Sequence, residues 1–143
     1  MINLTNVTYW YHKSHKALDD TTATIDEGIY LLLGENGAGK TTLLEIISGL
    51  LFPRSGHCSV NGMNVSERQP QTLQQVFMLS DTADLPCLTI NELKRIHAPF
   101  YPTFSADDLA LNLSDMGLTG DEPLKSLSFG TRKKAAIAYV LAL

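Results

Sequence analysis

The chain has 143 residues, of which 44% are hydrophobic and 18% charged, an ordinary composition for a globular domain with a hydrophobic core. Its net charge of −4 at pH 7 argues against nucleic acid or anionic lipid as partners, because both require a clustered basic excess. The two cysteines lack metal-ligand spacing, which fits a reducing cytoplasm. We find neither a signal peptide nor an apolar stretch long enough to span a bilayer, so we expect a chain that is neither secreted nor membrane-spanning.

The first part of the chain is typical of a β-rich segment. Residues 2–7 and 21–25 are rich in Ile, Val and Thr, which predicts two strands joined by a loop over the polar stretch 12–20. The run Ile29–Leu33 is short and entirely apolar and ends at Gly34, which predicts a central parallel strand buried on both faces.

A helix and two more strands are predicted next. Apolar residues recur at helical spacing over 40–50, until Gly49 and Pro53 break the pattern. Residues 57–60 and 75–79 have strand character, and Asn61-Gly62 is a good hairpin turn. The order around residue 34 is therefore strand, glycine-rich loop and helix.

The chain is predicted to be helical beyond residue 88. Thr89 can cap a helix over 90–97, and Ser105 can cap one over 106–116 that Gly117 closes. Residues 135–143 are apolar almost throughout, so we expect a last helix that is buried all round. No internal repeat or linker indicates a second domain.

A phosphate-binding motif lies between the predicted central strand and its helix. Residues 34–41 satisfy the P-loop (Walker A) pattern G-x-x-x-x-G-K-[ST], whose backbone N–H groups and following helix N-terminus surround phosphates. Lys40 is expected to reach the β and γ phosphates, and the Thr41 hydroxyl to bind Mg²⁺. The predicted nucleotide contacts of this segment are Gly34, Glu35, Asn36, Gly37, Ala38, Gly39, Lys40, Thr41 and Thr42.

A second candidate anion site precedes the last helix. Ser128 and Gly130 stand before a helix predicted to begin near Thr131, so a hydroxyl and unpaired N–H groups come together at a helix N-terminus. The basic residues 132–134 in its first turn oppose the helix dipole unless an anion binds. An ordinary Ser-capped helix with solvated basic residues is the alternative interpretation.

Residues 127–131, Leu-Ser-Phe-Gly-Thr, resemble the LSGGQ signature of the nucleotide-binding domains of ABC (ATP-binding cassette) transporters. The resemblance implies an α/β P-loop NTPase fold with an N-terminal antiparallel β part and a helical subdomain that carries the signature. It covers nearly the whole chain and implies one domain over 1–143, with an ATP-binding core at 1–80 and a helical subdomain at 81–130.

The resemblance also assigns roles to single residues. Tyr11 holds the place of the aromatic residue that stacks on adenine in the family, although Tyr9, Trp10 or Tyr11 could instead pack against a strand. The signature is expected to contact ATP bound to a partner subunit, so two ATP-binding subunits pair head to tail. Its contacts are Ser128, Phe129, Gly130 and Thr131.

One position departs from the family pattern. The family usually has a glutamine, which helps to hold Mg²⁺ and the attacking water, where this chain has Ser80. Ser80 is too short for all of that role, and Asp81 is the polar residue that could substitute, so either one is a further candidate metal contact.

In the family a strand ending in Asp-Glu and then a switch histidine follow the signature, and neither occurs in these residues. We therefore expect the front portion of a longer protein, with no catalytic residue in this chain and no turnover by it alone.

Three functions remain open. The first is an ATP-binding subunit that hydrolyses ATP in the complete protein and powers an ABC transporter, bound to a transmembrane permease at the cytoplasmic face of the membrane. The second is a nucleotide-binding module without turnover, since no general base is evident. The third is a small P-loop NTPase or kinase in which residues 76–80 form a strand and Asp81 holds Mg²⁺.

Overall fold

The computed structural model describes residues 1–13, 15–80 and 87–143, which form two compact units, Met1–Met78 and Leu79–Leu143. The first unit contains a four-stranded antiparallel sheet in the order β2-β1-β3-β4. Its strands are β1 (Ile2–His12), β2 (His15–Ile25), β3 (Ser55–Val60) and β4 (Met63–Asn64). Its α-helices are α1 (Lys40–Ile47) and the short α2 (Pro70–Leu73), and a turn of 3₁₀ helix spans Val65–Glu67.

The hairpin β1–β2 is much longer than its sequence indicates. The predicted loop over 12–20 is wrong, because β1 continues to His12 and β2 begins at His15. Most polar residues of β2 lie at exposed positions, so strand pairing costs their side chains little desolvation. Asn6 and Asp20 lie where the register of the two strands shifts, and both have φ 49°. The side-chain amide of Asn6 donates to Asp20 Oδ1 at 2.8 Å. The ladder is interrupted at this irregularity, and the two strands pair again beyond it.

Two predicted strands do not form. Neither residues 29–33 nor residues 75–79, nor the 76–80 of the small-NTPase alternative, have a strand assignment, and Ile29, Leu31 and Leu33 are exposed. A parallel strand requires hydrogen-bonded neighbours, and the sheet of the described residues holds only β1 to β4. The small NTPase hypothesis loses the strand on which it depends, and Asp81 lies outside the described residues. Strand β3 and the Asn61-Gly62 turn are confirmed, with φ 49° and 80° at the two turn residues.

The core of the first unit lies between the sheet and α1. Leu4, Val7 and Cys58 come from β1 and β3, and Ile46 lies fully buried against them from α1. Burial raises the pKa of the Cys58 thiol to about 11. This apolar layer packs α1 against the sheet, so it fixes the helix that follows the glycine-rich loop.

The second unit is helical, with α3 (Ile90–His97), α4 (Ala106–Asp115) and α5 (Phe129–Val140). Thr89 and Glu92 form a capping box at the start of α3, and the Ser105 hydroxyl accepts from the Asp108 N–H at the start of α4. Both predicted caps are confirmed. The core of this unit comprises Ile90, Leu109, Leu113, Leu118, Leu124, Ala135, Ala138, Tyr139 and Ala142.

The last helix is buried along one side only. Ala135, Ala138 and Tyr139 face the core, whereas Ile137 and Leu141 are 41% and 65% exposed. The expectation of an all-round buried helix is therefore wrong for the described residues, because the unit packs against one face of it. Burial raises the pKa of Tyr139 to about 12.

Candidate functional site

The glycine-rich loop curls around the ammonium group of its own lysine. Lys40 Nζ donates to the carbonyl oxygens of Gly34 and Glu35 at 2.6 and 2.7 Å. A turn inside the loop is closed by the Ala38 N–H, which donates to Glu35 O at 3.2 Å. The positive charge of the lysine is therefore held at the loop and beside the N-terminus of α1, which concentrates positive potential where an anion can bind.

Gly39 joins the loop to the sheet. It is the N-cap residue of α1 in the left-handed conformation, with φ 84°. A Cβ built on it would lie 2.2 Å from the Ala17 carbonyl oxygen on β2, a distance that no side chain can occupy. Only glycine therefore allows the loop backbone to approach β2 this closely.

A cleft of about 380 Å³ opens beside the loop. Its lining contains most of the loop residues that the sequence predicts to bind phosphate, together with residues from both strands of the first hairpin. The lining residues are Tyr11, His15, Ala17, Asn36, Gly37, Gly39, Lys40, Thr41 and Thr42. Gly34, Glu35 and Ala38 belong to the same loop but are not part of this lining.

Two of these lining residues were missed by the sequence analysis. His15 and Ala17 are two residues apart on β2, so the alternation of a strand places both on the same side. The signal was present in the spacing, but it has meaning only once β2 is known to begin at His15.

Tyr11 lies at the end of β1, is 56% exposed and lines the cleft. Its hydroxyl lies 3.1 Å from Thr42 Oγ1 and donates to Glu45 Oε2 at 3.3 Å. Its ring is edge-on to that of Tyr9, with centroids 5.1 Å apart and planes at 82°. Tyr9 itself is buried, so of the two tyrosines Tyr11 is the one that reaches the cleft.

The residues predicted to bind a metal fall in different parts of the chain. Thr41 lines the cleft from the first turn of α1. Ser80 belongs to the second unit, and Asp81 lies outside the described residues. Within the described ranges no cluster of three His, Cys, Asp or Glu side chains could hold a metal. The cleft thus fits Mg²⁺ only as an ion that keeps waters and phosphate oxygens as most of its ligands, which is the usual habit of Mg²⁺.

The signature-like segment forms the N-terminus of α5. Ser128 is the N-cap, and its hydroxyl accepts from the Thr131 N–H at 3.2 Å. The helix begins at Phe129, two residues earlier than predicted, because Ser128 caps it. Gly130 therefore lies in the first turn, where backbone amides have no helical partner. Phe129 is 65% exposed, with Lys133 Nζ 4.7 Å from the centroid of its ring.

Across the described parts of the chain, no helix combines the length and the apolar character that crossing a bilayer requires.

A loop with the G-x-x-x-x-G-K-[ST] motif that caps a helix, with its lysine folded into it and a cleft beside it, is typical of P-loop nucleotide-binding proteins. Residues 18–143 match the ABC transporter family, and the chain belongs to that family. A protein of Pyrococcus furiosus named as an ABC transporter ATP-binding protein is 28% identical, over 100% of this chain and 58% of its own length. The putrescine transport ATP-binding protein PotG of Escherichia coli is 30% identical, over 99% of this chain and 39% of its own length.

Solved structures agree with this assignment. The ATP-binding subunit of an ABC transporter has a TM-score of 0.80 at 26% identity, covering 96% of this chain and 60% of the other. The cassette MJ0796, solved as a dimer with ADP and Pi, has a TM-score of 0.75 at 25% identity, covering 99% of this chain and 69% of the other. These neighbours confirm the predicted family and the α/β P-loop NTPase fold class. The chain spans 58% of the length of the Pyrococcus relative.

Proposed function

We propose that this chain binds ATP with Mg²⁺ in the cleft beside residues 34–42 and forms the ATP-binding part of a subunit that powers an ABC transporter. The observation that carries the proposal is the position of Lys40 Nζ, held by two loop carbonyls at the N-terminus of α1 in a chain of this family. An anion placed there meets an ammonium group, free loop amides and the positive end of a helix dipole.

Each group in the cleft has a chemical role in this proposal. The loop amides and Lys40 bind the phosphates, and the Thr41 hydroxyl is a ligand of the Mg²⁺ that accompanies them. When bound, Mg²⁺ neutralises charge on the phosphate oxygens. Tyr11 is exposed at the mouth of the same cleft and stacks on the adenine.

The second unit supplies the contact to another subunit. Ser128 presents its hydroxyl, and Phe129 and Gly130 their amides, at the start of α5, where the γ-phosphate of ATP on a partner subunit would bind. The dimeric MJ0796 structure supports pairing of this kind. We further propose that the chain comprises an ATP-binding core at 1–80 and a helical subdomain at 81–130.

We propose that the partners are a second ATP-binding subunit and a transmembrane permease at the cytoplasmic face of the membrane. The transport function in the name of the PotG relative supports this assignment. ATP hydrolysis would then require that pairing. The family resemblance assigns the role of general base to none of these 143 residues. We therefore expect this chain alone to bind ATP without turnover.

Calorimetric titration of the purified chain with Mg·ATP tests the proposal. We expect one site in the wild type, an affinity loss of at least about 30-fold in Lys40→Ala, and little change in the control Lys94→Ala, which lies on α3. Equal affinities for the wild type and Lys40→Ala would overturn the phosphate-loop assignment. Ser128→Arg is expected to spare this binding and, in the complete protein, to abolish the turnover that depends on two copies.

A further inference from the structure

We infer that Glu45 is a positioning residue, which fixes the Tyr11 ring at the mouth of the cleft through a hydrogen bond to the Tyr11 hydroxyl. The inference rests on the proposed function, because it assigns a means of preorganisation to the proposed adenine contact. Glu45 lies on α1, is partly buried, and is not among the residues that line the cleft.

The two hydrogen bonds of the Tyr11 hydroxyl have a defined direction. A carboxylate can only accept, so Tyr11 donates its single proton to Glu45 Oε2 at 3.3 Å. The contact of 3.1 Å with Thr42 must then run from the Thr42 hydroxyl to the phenol oxygen. Thr42 is buried, which fixes the second partner in place. Donor and acceptor capacity of the phenol are both used, and both partners belong to α1.

A third contact limits rotation of the ring. Tyr9 and Tyr11 are two residues apart on β1 and meet edge to face at 5.1 Å, with Tyr9 only 7% exposed. Thr42 and Glu45 are three residues apart on α1, which places them on one side of the helix. The buried tyrosine on one side and the two α1 groups on the other hold the ring where β1, α1 and the cleft meet.

The benefit of this arrangement is entropic. A tyrosine that is 56% exposed at the end of a strand would otherwise lose rotamer freedom when a base stacks on it. Ordering one such side chain typically weakens binding by about 3-fold to 10-fold. If Glu45 orders Tyr11 in advance, loss of its hydrogen bond should weaken adenine nucleotides by that factor relative to inorganic triphosphate.

The experiment separates the hydrogen bond from the charge of Glu45. Glu45→Ala and Glu45→Gln remove the same negative charge, but the glutamine side-chain oxygen still accepts from the phenol. Tyr11→Phe removes the phenol hydroxyl and keeps both the ring and the carboxylate. The control is Glu27→Ala, an exposed glutamate outside the cleft lining. Dissociation constants for Mg·ATP and for Mg·tripolyphosphate are measured for each purified variant and for the Tyr11→Phe/Glu45→Ala double variant.

We expect Glu45→Ala to bind ATP about 3-fold to 10-fold more weakly than Glu45→Gln, with equal affinities of these two variants for tripolyphosphate. The change in tripolyphosphate affinity of the double variant measures the effect of the lost charge, and its ATP affinity is corrected by that factor. The corrected ATP affinity should equal that of Tyr11→Phe. Equal ATP affinities for Glu45→Ala and Glu45→Gln, or parallel losses for both ligands, would overturn the inference.

The variant Tyr11→Ala distinguishes this failure from a failure of the proposed function. If Tyr11→Ala weakens ATP but not tripolyphosphate while Glu45→Ala matches Glu45→Gln, the adenine contact stands and the role of Glu45 is refuted. If Tyr11→Ala weakens both ligands equally, Tyr11 is not an adenine contact, so the adenine assignment and the inference about Glu45 both fall, while Lys40→Ala tests the phosphate loop separately.

Discussion

Gly39→Ala is the substitution for which the structure gives the largest expected effect on the loop. An alanine with φ 84° costs about 1–2 kcal/mol, because its Cβ then meets its own backbone. The same Cβ would lie 2.2 Å from the Ala17 carbonyl oxygen, so the loop or β2 must also shift. Forcing extra atoms into packed positions costs about 1–3 kcal/mol. We therefore expect a total loss of about 2–5 kcal/mol of unfolding free energy.

Gly37→Ala is the matched control within the same loop. Gly37 has a similar φ of 86°, but a Cβ there would meet nothing within 4 Å. Its expected cost is therefore only the backbone term, about 1–2 kcal/mol. The difference between the two variants measures the close approach of the loop to β2.

Urea unfolding followed by tryptophan fluorescence is the appropriate assay. The chain has one tryptophan, Trp10 on β1, so the signal reports the first unit. With m-values unchanged, the two midpoints convert directly to free energies of unfolding. Equal destabilisation by Gly39→Ala and Gly37→Ala, within about 0.5 kcal/mol, would refute the argument that the Ala17 carbonyl excludes a side chain at residue 39.

Three further outcomes are expected. Thr89→Ala removes the capping box of α3 and should destabilise the second unit by about 1 kcal/mol, measured by circular dichroism, whereas Thr89→Ser should retain most of the stability. The folded pKa of Cys58, about 11, lies above its ordinary value of 9.0, so stability from the buried neutral thiol is complete below pH 9 and lost as pH rises through 11. A Cys58→Ala variant lacking that part of the pH dependence supports this account, and an unchanged profile contradicts it. Thiol titration of the native protein should modify exposed Cys87 rapidly and buried Cys58 only on unfolding, so equal rates would contradict the burial of Cys58.

Features with local causes could be predicted from the sequence. The start of α3 depends on Thr89 and Glu92, three residues apart, and the β3–β4 turn depends on Asn61-Gly62 alone. The loop motif around Lys40 is likewise contiguous. For such features the residues that determine the structure stand next to one another in the chain, so a sequence pattern identifies them.

Features that depend on distant partners could not be predicted in the same way. An apolar run such as 29–33 becomes a strand only beside hydrogen-bonded neighbours. His15 and Ala17 join the cleft only because β2 begins at His15. The Glu45 contact to Tyr11 spans β1 and α1, and nothing in either local pattern indicates it. Sequence patterns therefore indicate residue types but do not determine strand register or strand pairing.

The central claim is that residues 34–42 bind the phosphates of ATP, and amide chemical shifts test it most directly. Addition of Mg·ATP to isotope-labelled chain should give its largest shift changes at the amides of residues 37–42, with a distinct change for the Lys40 side chain, and Mg·tripolyphosphate should reproduce most of them. Saturating Mg·ATP that leaves these amides unchanged, or that shifts another surface instead, would contradict the claim.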